Sequence, residues 1–166
     1  MGSKKINKVK IPNLLVFDFD GVFTDNKVIV REDGLESVVC SREDGLGIEM
    51  ARKSGLKMLI LSKEKNKVVS ARAKKLQIEV IQGIEDKPSE LRKYAAKNKI
   101  ELKDIFYVGN DLNDLSVMRI VGTSACPADS HPSVKKIATI KLRKNGGNGA
   151  IRELIEQKMG INLYRN

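Results

Sequence analysis

The amino-acid sequence predicts an α/β protein in which a parallel sheet is flanked by helices. Short β-prone runs alternate along the chain with segments of helical apolar spacing, a pattern typical of strands joined by crossover helices. The first run, Leu14-Leu15-Val16-Phe17, is wholly apolar and indicates a buried strand. A hairpin signal follows it, because Asp33-Gly34 separates two further β-prone runs.

The strands and helices are predicted in order along the chain. After residues 14–17, further strands are expected at residues 57–61, 79–81, 104–108 and 123–126, with a weaker one near 138–141. Helices are expected between them at residues 46–53, 66–76, 89–98, 112–120 and 150–159. Gly55 and Gly160 are expected to end helices, and Pro88 to stand in a first helical turn. This alternation predicts a Rossmann-like sheet.

The predicted hairpin interrupts this alternation. Its β-prone runs are residues 27–30 and 36–40, within a flap of about residues 22–41. An isolated two-stranded hairpin is only marginally stable in water, and this one carries several valines. Oligomerisation through the hairpin is therefore expected, and the alternative is that it folds back onto its own domain.

Length and composition predict one globular domain at residues 1–166, with a basic tail at residues 1–11. Hydrophobic residues make up 41% of the 166, and no apolar run is long enough to cross a bilayer. The polar N-terminus predicts no signal peptide. The two cysteines have neither metal-ligand spacing nor the number for a disulfide framework. A soluble cytoplasmic protein is expected.

The formal net charge of +10 raises the question of nucleic-acid binding. The lysines are scattered along the chain, aromatic residues make up only 4%, and tryptophan is absent, so a base-stacking platform is hard to build. A nucleic-acid partner is therefore not expected. A positive field would also attract small anions.

The strongest functional signal is the run Asp18-Phe19-Asp20-Gly21-Val22-Phe23-Thr24-Asp25, directly after the first strand. Ligands bind at the carboxyl ends of parallel strands, and buried carboxylates there require a cation or hydrogen bonds. Side chains alternate along an extended chain, so Asp18 and Asp20 are expected to face one crevice. A polar loop with capping aspartates is the alternative interpretation.

Three further sets of polar residues follow later strands. Ser62 can donate to a phosphate oxygen, and Lys87 opens a helix where its ammonium group can face an anion. In Gly109-Asn110-Asp111-Leu112-Asn113-Asp114, Asp111 offers a hard oxygen ligand suited to magnesium, and Asp114 can orient Lys87 or a metal-bound water. Alone, these residues would be a turn serine, a surface lysine and a helix cap. Together they predict a phosphate and metal site.

These motifs together resemble the haloacid dehalogenase-like phosphatase superfamily. More narrowly, they resemble its capless branch, which includes 3-deoxy-manno-octulosonate 8-phosphate phosphatase, nonulosonate 9-phosphate phosphatases and the phosphatase-like domain of acylneuraminate cytidylyltransferases. The resemblance spans about residues 12–155 and includes the runs 43–48, 128–132 and 146–153. It implies a fold with no large cap domain.

The resemblance also implies the chemistry of the site. Asp18 is expected to be the nucleophile that forms a phospho-aspartate, and Asp20 the general acid and then base. Mg²⁺ is expected between the Asp18 carboxylate, the Asp20 backbone carbonyl and Asp111, with Asn110 and Asp114 around them. Ser62 and Lys87 are expected to hold the phosphoryl oxygens. The branch forms homotetramers through its hairpin, with each active site near a subunit interface.

The expected substrate is a 2-keto-3-deoxy sugar acid phosphate. Octulosonate phosphatases carry Thr-Gly-Arg where this chain has Ser62-Lys63-Glu64. Glu64 and Lys75 resemble the nonulosonate 9-phosphate group, which favours a substrate of sialic acid metabolism over octulosonate 8-phosphate. Ordinary helix-surface charge is the alternative interpretation of both residues. A non-catalytic oligomerisation module is the alternative function, although none of the motif residues is replaced.

The glycine-rich run at residues 146–149 is open to two interpretations. It fits an anion-binding nest, and equally a loop shaped by its glycines with Asn148 as a helix cap. Arg152, in the helix after it, is expected to reach a substrate carboxylate in a neighbouring subunit.

Overall fold

The computed structural model describes residues 9–163, so most of the predicted basic tail lies outside the described residues. Within that range the strands are β1 (Leu14–Phe17), β2 (Ile29–Val30), β3 (Glu36–Ser37), β4 (Met58–Leu61), β5 (Glu79–Ile81), β6 (Ile105–Val108), β7 (Thr123–Cys126) and β8 (Ile140–Lys141). The α-helices of the same range are α1 (Arg42–Lys53), α2 (Lys67–Leu76), α3 (Lys87–Lys97), α4 (Leu115–Met118), α5 (Pro132–Ile137) and α6 (Ala150–Glu153). None of these helices is long and apolar enough to cross a bilayer.

Six strands form one parallel sheet in the order β5-β4-β1-β6-β7-β8. In the centre, Phe17 of β1 is in register with Ile60 of β4 on one side and Val108 of β6 on the other. The chain runs outward from β1 to β5 and then crosses back to β6, so the strand order reverses at β1. The predicted Rossmann-like fold is confirmed, and its ligand crevice is expected at the carboxyl end of β1.

Both faces of the sheet are covered by helices. Alternate side chains of β1 point to opposite faces. Leu15 and Phe17 belong to a hydrophobic cluster with residues of α1 and α6, whereas Leu14 and Val16 belong to a second cluster with residues of α3 and α4. Because β1 is buried on both faces, its wholly apolar sequence is explained.

The hairpin is present between β1 and α1. Strands β2 and β3 are antiparallel, and the Gly34 amide donates to the Arg31 carbonyl oxygen at 2.9 Å to close the turn. Gly34 has φ +79°, a conformation that favours glycine. The hairpin contacts its own domain where Asn66 Nδ2 donates to Glu36 Oε2 at 2.7 Å. Its apolar side chains Val28, Ile29, Val30, Leu35 and Val39 are nevertheless exposed.

The start of α1 was predicted wrongly. The helix begins at Arg42, four residues before the predicted start, and Ser41 caps it by accepting from the Asp44 amide at 3.2 Å. Gly45 and Gly47 interrupt the apolar pattern there and lower the helix propensity. A methyl group added at Gly47 would lie 3.0 Å from the Arg152 Cα atom, so close packing against α6 explains that glycine.

The other differences concern short helical segments. The predicted helix at 112–120 is a 3₁₀ turn (Leu112–Asp114) followed by α4, and the one predicted at 150–159 is α6 followed by a π turn (Leu154–Lys158). Helix α5 was missed, because six residues are too few to show a helical period. The predicted strands of the parallel sheet agree with the structure to within two residues, whereas the second hairpin strand ends at Ser37, three residues before the end of its β-prone run.

Candidate active site

The motif residues meet at the carboxyl edge of the sheet. Asp18 directly follows β1, Ser62 follows the neighbouring β4, and Asn110 lies just beyond β6 on the other side. Lys87 is the first residue of α3, which follows β5. All four residues are buried, with Asp18 only 5% exposed. The sheet order therefore brings together side chains that are far apart in sequence.

Lys87 lies between two buried carboxylates. Its Nζ atom is 2.8 Å from Asp18 Oδ1 and 2.7 Å from Asp114 Oδ1. The Tyr107 hydroxyl also donates to Asp114 Oδ1, at 2.7 Å. The predicted contact between Asp114 and Lys87 is thus present, and Tyr107 joins it although sequence reasoning placed it only in a strand. One cation faces two carboxylates, which leaves an excess negative charge.

This excess charge affects the titration of the cluster. Burial, together with the Asp114 carboxylate, raises the pKa of Asp18 from 3.8 to about 7, and the opposing effect of Lys87 does not cancel the shift. Burial alone would lower the pKa of Lys87, but the two carboxylates raise it above its ordinary value. Lys87 therefore stays protonated, and an additional cation beside Asp18 would stabilise its carboxylate.

Asp20 has a different environment, partly open to solvent. Burial and the nearby Glu64 carboxylate raise its pKa, and a hydrogen bond from Thr24 opposes the shift. Thr24 Oγ1 donates to Asp20 Oδ1 at 3.4 Å and accepts from the Gly21 amide at 3.1 Å. A raised pKa favours the protonated carboxyl that a general acid needs. Sequence reasoning missed this role of Thr24, whose only signal is its place four residues after Asp20.

A cleft of about 230 Å³ opens beside Asp20. The hairpin and the segment between β4 and α2 line it, with the residues Asn26, Lys27, Val28, Glu36, Val38, Glu64, Asn66 and Val68. Glu64, predicted to set specificity, therefore shares a cleft with Asp20. Ser62 is buried beneath this segment, and its Oγ atom accepts from the Glu64 amide at 3.1 Å.

The motif after β6 combines a structural cap with an unpartnered oxygen. Asp111 Oδ1 accepts from the Leu112 amide at 2.7 Å, so Asp111 does cap the 3₁₀ turn. The Asn110 side chain packs against Gly21, where an added methyl group would lie 1.9 Å from Asn110 Nδ2. Within residues 9–163, Asn110 Oδ1 is buried and has no hydrogen-bond partner. An amide oxygen in that position suits a cation.

The donor types at this edge suit a magnesium ion, because they are carboxylate and amide oxygens. Side chains of His, Cys, Asp or Glu do not gather in groups of three suited to a metal anywhere in the described part of the chain. Magnesium, however, commonly binds through one or two carboxylates and keeps several waters, and the expected Asp20 ligand is a backbone oxygen. Asp18, Asp111 and the Asn110 amide supply only oxygen donors. Asn110 is therefore a candidate ligand of the magnesium ion, whereas the sequence predicted that it lies next to the ligands without contacting the ion.

Two predicted specificity residues lie away from this cleft. Lys75 is exposed and lines a different pocket, together with Arg42, Arg52 and Arg72. Arg152 lies on α6, where its guanidinium pairs with Glu156. Neither residue lines the cleft beside Asp20. Both roles stay predictions.

Comparisons with known proteins agree with this site. Residues 49–154 match a family described as haloacid dehalogenase-like hydrolase. The chain is 34% identical over 152 residues to the 3-deoxy-D-manno-octulosonate 8-phosphate phosphatase of Escherichia coli K12, which covers 91% of this chain and 81% of the relative.

Two solved structures are similar over nearly their whole length. A haloacid dehalogenase family hydrolase from Streptomyces avermitilis superposes with a TM-score of 0.89 at 42% identity, covering 93% of this chain and 89% of that one. A 3-deoxy-D-manno-octulosonate 8-phosphate phosphatase from Moraxella catarrhalis, solved with magnesium, phosphate and its sugar acid, has a TM-score of 0.87 at 32% identity, covering 92% and 88%.

The raised pKa of Asp18 predicts a pH-dependent stability difference between wild type and Asp18→Asn in metal-free buffer. Because the folded-state pKa of about 7 lies above 3.8, the contribution of Asp18 to stability is fully present below about pH 3.8 and is lost as the pH rises through 7. The unfolding free energy of Asp18→Asn minus that of wild type should therefore increase by roughly 2 kcal/mol between pH 5 and pH 8. Urea unfolding with EDTA measures this, and a difference that stays constant or shrinks over that range contradicts it.

Proposed function

This chain belongs to the haloacid dehalogenase-like hydrolase family, and we propose that it is a magnesium-dependent phosphatase of 2-keto-3-deoxy sugar acid phosphates. As a member of that family with phosphatase relatives, it is a phosphoric monoester hydrolase. The observation that carries the proposal is the buried Asp18 carboxylate, held by Lys87 at 2.8 Å beside Asp20 at the carboxyl end of β1.

Asp18 and Asp20 have different roles in the proposed reaction. An Asp18 carboxylate oxygen attacks phosphorus, the bond from phosphorus to the sugar oxygen breaks, and Asp20 gives its proton to that oxygen. Asp20 then takes a proton from water, which attacks the phosphorus of the phospho-aspartate and releases phosphate with Asp18 restored. The raised pKa of Asp20 favours the first of these proton transfers.

The remaining residues position the phosphoryl group and balance its charge. Lys87 is protonated between Asp18 and Asp114, so its ammonium can also attract the phosphoryl oxygens. Ser62, buried at the end of β4, is the second phosphate contact proposed. A magnesium ion held by Asp18, the Asp20 carbonyl, Asp111 and Asn110 would neutralise charge on the carboxylate and the phosphoryl oxygens.

We favour a nonulosonate 9-phosphate as the substrate, with octulosonate 8-phosphate as the second candidate. Glu64 supports the first, since its carboxylate lines the cleft beside Asp20 and can accept from hydroxyls of a longer sugar chain. The names of the Escherichia coli and Moraxella catarrhalis relatives support the second. The cytoplasmic location expected from the sequence stays a prediction.

The charge of the cleft beside Asp20 supports a contribution from a second copy of the chain. Asp20, Glu36 and Glu64 make the cleft acidic, with Lys27 as its one cation among the lining residues, so it suits a substrate carboxylate poorly. Lys75 and its neighbouring arginines lie outside it. We propose a homotetramer formed through the hairpin, in which a neighbouring copy completes the pocket.

Phosphate release from three esters tests the function. The wild type with magnesium should hydrolyse a nonulosonate 9-phosphate faster than octulosonate 8-phosphate, and both faster than an aryl phosphate. EDTA or Asp18→Asn should abolish release, because each removes a group that the first step needs. Glu64→Arg should shift the preference toward octulosonate 8-phosphate by about tenfold or more, which corresponds to roughly 1.4 kcal/mol.

Each other outcome excludes a different part of this proposal. If the wild type prefers octulosonate 8-phosphate, the favoured substrate is wrong, but the proposed mechanism is unaffected. If Glu64→Arg hydrolyses the two sugar acid phosphates with the same ratio of rates as the wild type, Glu64 is an ordinary surface charge with no role in specificity. No turnover of any ester by folded protein with magnesium bound favours a non-catalytic oligomerisation module.

The hairpin proposal predicts that assembly depends on Val30, which is 66% exposed. Val30→Asp should dissociate the tetramer without unfolding the domain, because burying an unpaired carboxylate in an apolar interface is costly. Ile11→Asp is the matched control, since Ile11 is 51% exposed outside the hairpin. Sedimentation velocity measures both variants. A monomeric wild type, or tetrameric Val30→Asp, contradicts the assembly.

A further inference from the structure

We propose that Asp44 is a positioning residue that holds the general acid Asp20 in place through the glycine-rich loop at residues 145–149. This inference rests on the proposed function, because Asp20 is taken as the proton donor to the leaving group. Asp44 lies in α1, and the catalytic loop at residues 18–25 precedes it by some twenty residues and a hairpin. The connection is made by contacts across the fold.

The first contact joins Asp44 to the far end of the glycine-rich loop. Asp44 is 1% exposed, and its Oδ2 and Oδ1 atoms accept from the Gly149 amide at 3.1 Å and the Arg152 amide at 3.0 Å. It thereby caps α6 from another helix. The predicted cap, Asn148, was wrong, because the N-cap position is Gly149, with φ +92° and no side chain to act as acceptor.

The second contact joins the glycine-rich loop to the catalytic loop. The Gly147 amide donates to the Val22 carbonyl oxygen at 3.0 Å. A methyl group added at Gly146 would lie 1.9 Å from the Gly21 carbonyl oxygen, and one at Gly147 would lie 2.5 Å from the Thr24 carbonyl carbon. The two backbones are therefore in direct contact, and this explains the glycines without an anion-binding nest.

The third contact joins the catalytic loop to the Asp20 carboxyl. Thr24 is fully buried, its Oγ1 atom donates to Asp20 Oδ1 at 3.4 Å, and the same atom accepts from the Gly21 and Asn26 amides. The bond to Asp20 is already long, so a small displacement of the Thr24 backbone breaks it. A shift of about 1 Å at a reacting group can cost roughly a hundredfold in rate.

The test uses Asp44→Asn and compares leaving groups. Asparagine keeps one acceptor oxygen and turns the other into a donor, so one of the two amides loses its partner. Protonation by Asp20 matters greatly for a poor alkyl leaving group and little for nitrophenolate, which leaves without a proton. We expect kcat/KM to fall about tenfold for a sugar phosphate and by less than about twofold for nitrophenyl phosphate. The ratio reports only the first step, because kcat/KM excludes later hydrolysis of the phospho-aspartate.

Glu153→Gln is the matched control. Glu153 is another buried carboxylate that accepts from two backbone amides, those of Arg143 and Lys144, at 2.9 and 3.0 Å. Glu153 lies in α6, the helix that Asp44 caps, and its two amide partners lie just before the glycine-rich loop rather than in residues 145–149. Its kcat/KM ratio between the two esters should equal that of wild type, even where its stability falls as much as that of Asp44→Asn.

A second pair of variants tests the last contact if Asp44→Asn folds poorly. Thr24→Val removes the hydroxyl and should reproduce the selective loss on the sugar phosphate, whereas Thr24→Ser keeps the hydroxyl and should restore most of it. Equal losses on both esters, in Asp44→Asn or in Thr24→Val, overturn the positioning role. A wild type that releases phosphate from neither ester overturns the proposed function itself, and this inference with it.

Discussion

A single buried ammonium group, Lys87 Nζ, lies between the carboxylates of Asp18 and Asp114 at 2.8 and 2.7 Å. Taking three charged groups out of water is costly unless each finds its partner, and removing one partner from such a cluster typically costs roughly 3–5 kcal/mol. The cluster therefore requires the carboxyl ends of β1 and β6 and the first turn of α3 to meet at one place. The order β5-β4-β1-β6 provides that meeting point.

The same arrangement suits the nucleophilic role proposed for Asp18 and also lowers the stability of the fold. Burial keeps water away from the carboxylate and raises its pKa to about 7, so its ionised form is disfavoured until a cation arrives. Preorganised active sites commonly destabilise the protein that contains them. Here the hydrophobic clusters on both faces of the sheet offset that cost, and the glycine-rich loop fixes the backbone beside the site.

Much of the fold was predictable because its signals are local. Wholly apolar runs such as residues 14–17 mark buried strands, and the Asp33-Gly34 turn marks the hairpin. The polar residues after successive strands predicted that Asp18, Ser62, Lys87 and the motif at residues 109–114 would meet, because parallel strands bring their carboxyl ends together. The family resemblance is confirmed by the match over residues 49–154.

The features that were missed depend on contacts between distant residues. Asp44 accepts from Gly149, 105 residues later, and no periodicity or turn pattern encodes that contact. The glycines at 45 and 47 obscured the start of α1, although packing against α6 is what explains Gly47. The packing of Asn110 against Gly21 and its unpartnered oxygen likewise depend on the fold and have no local sequence signal.

The central claim, that Asp18 is the nucleophile, is tested most directly by trapping the intermediate. Enzyme mixed with magnesium and a sugar acid phosphate is quenched in acid within milliseconds, digested, and examined by mass spectrometry. The account predicts one added phosphoryl group on the peptide that contains Asp18, and none in Asp18→Asn. A phosphoryl group on another residue, or turnover without any phosphorylated peptide, would contradict it.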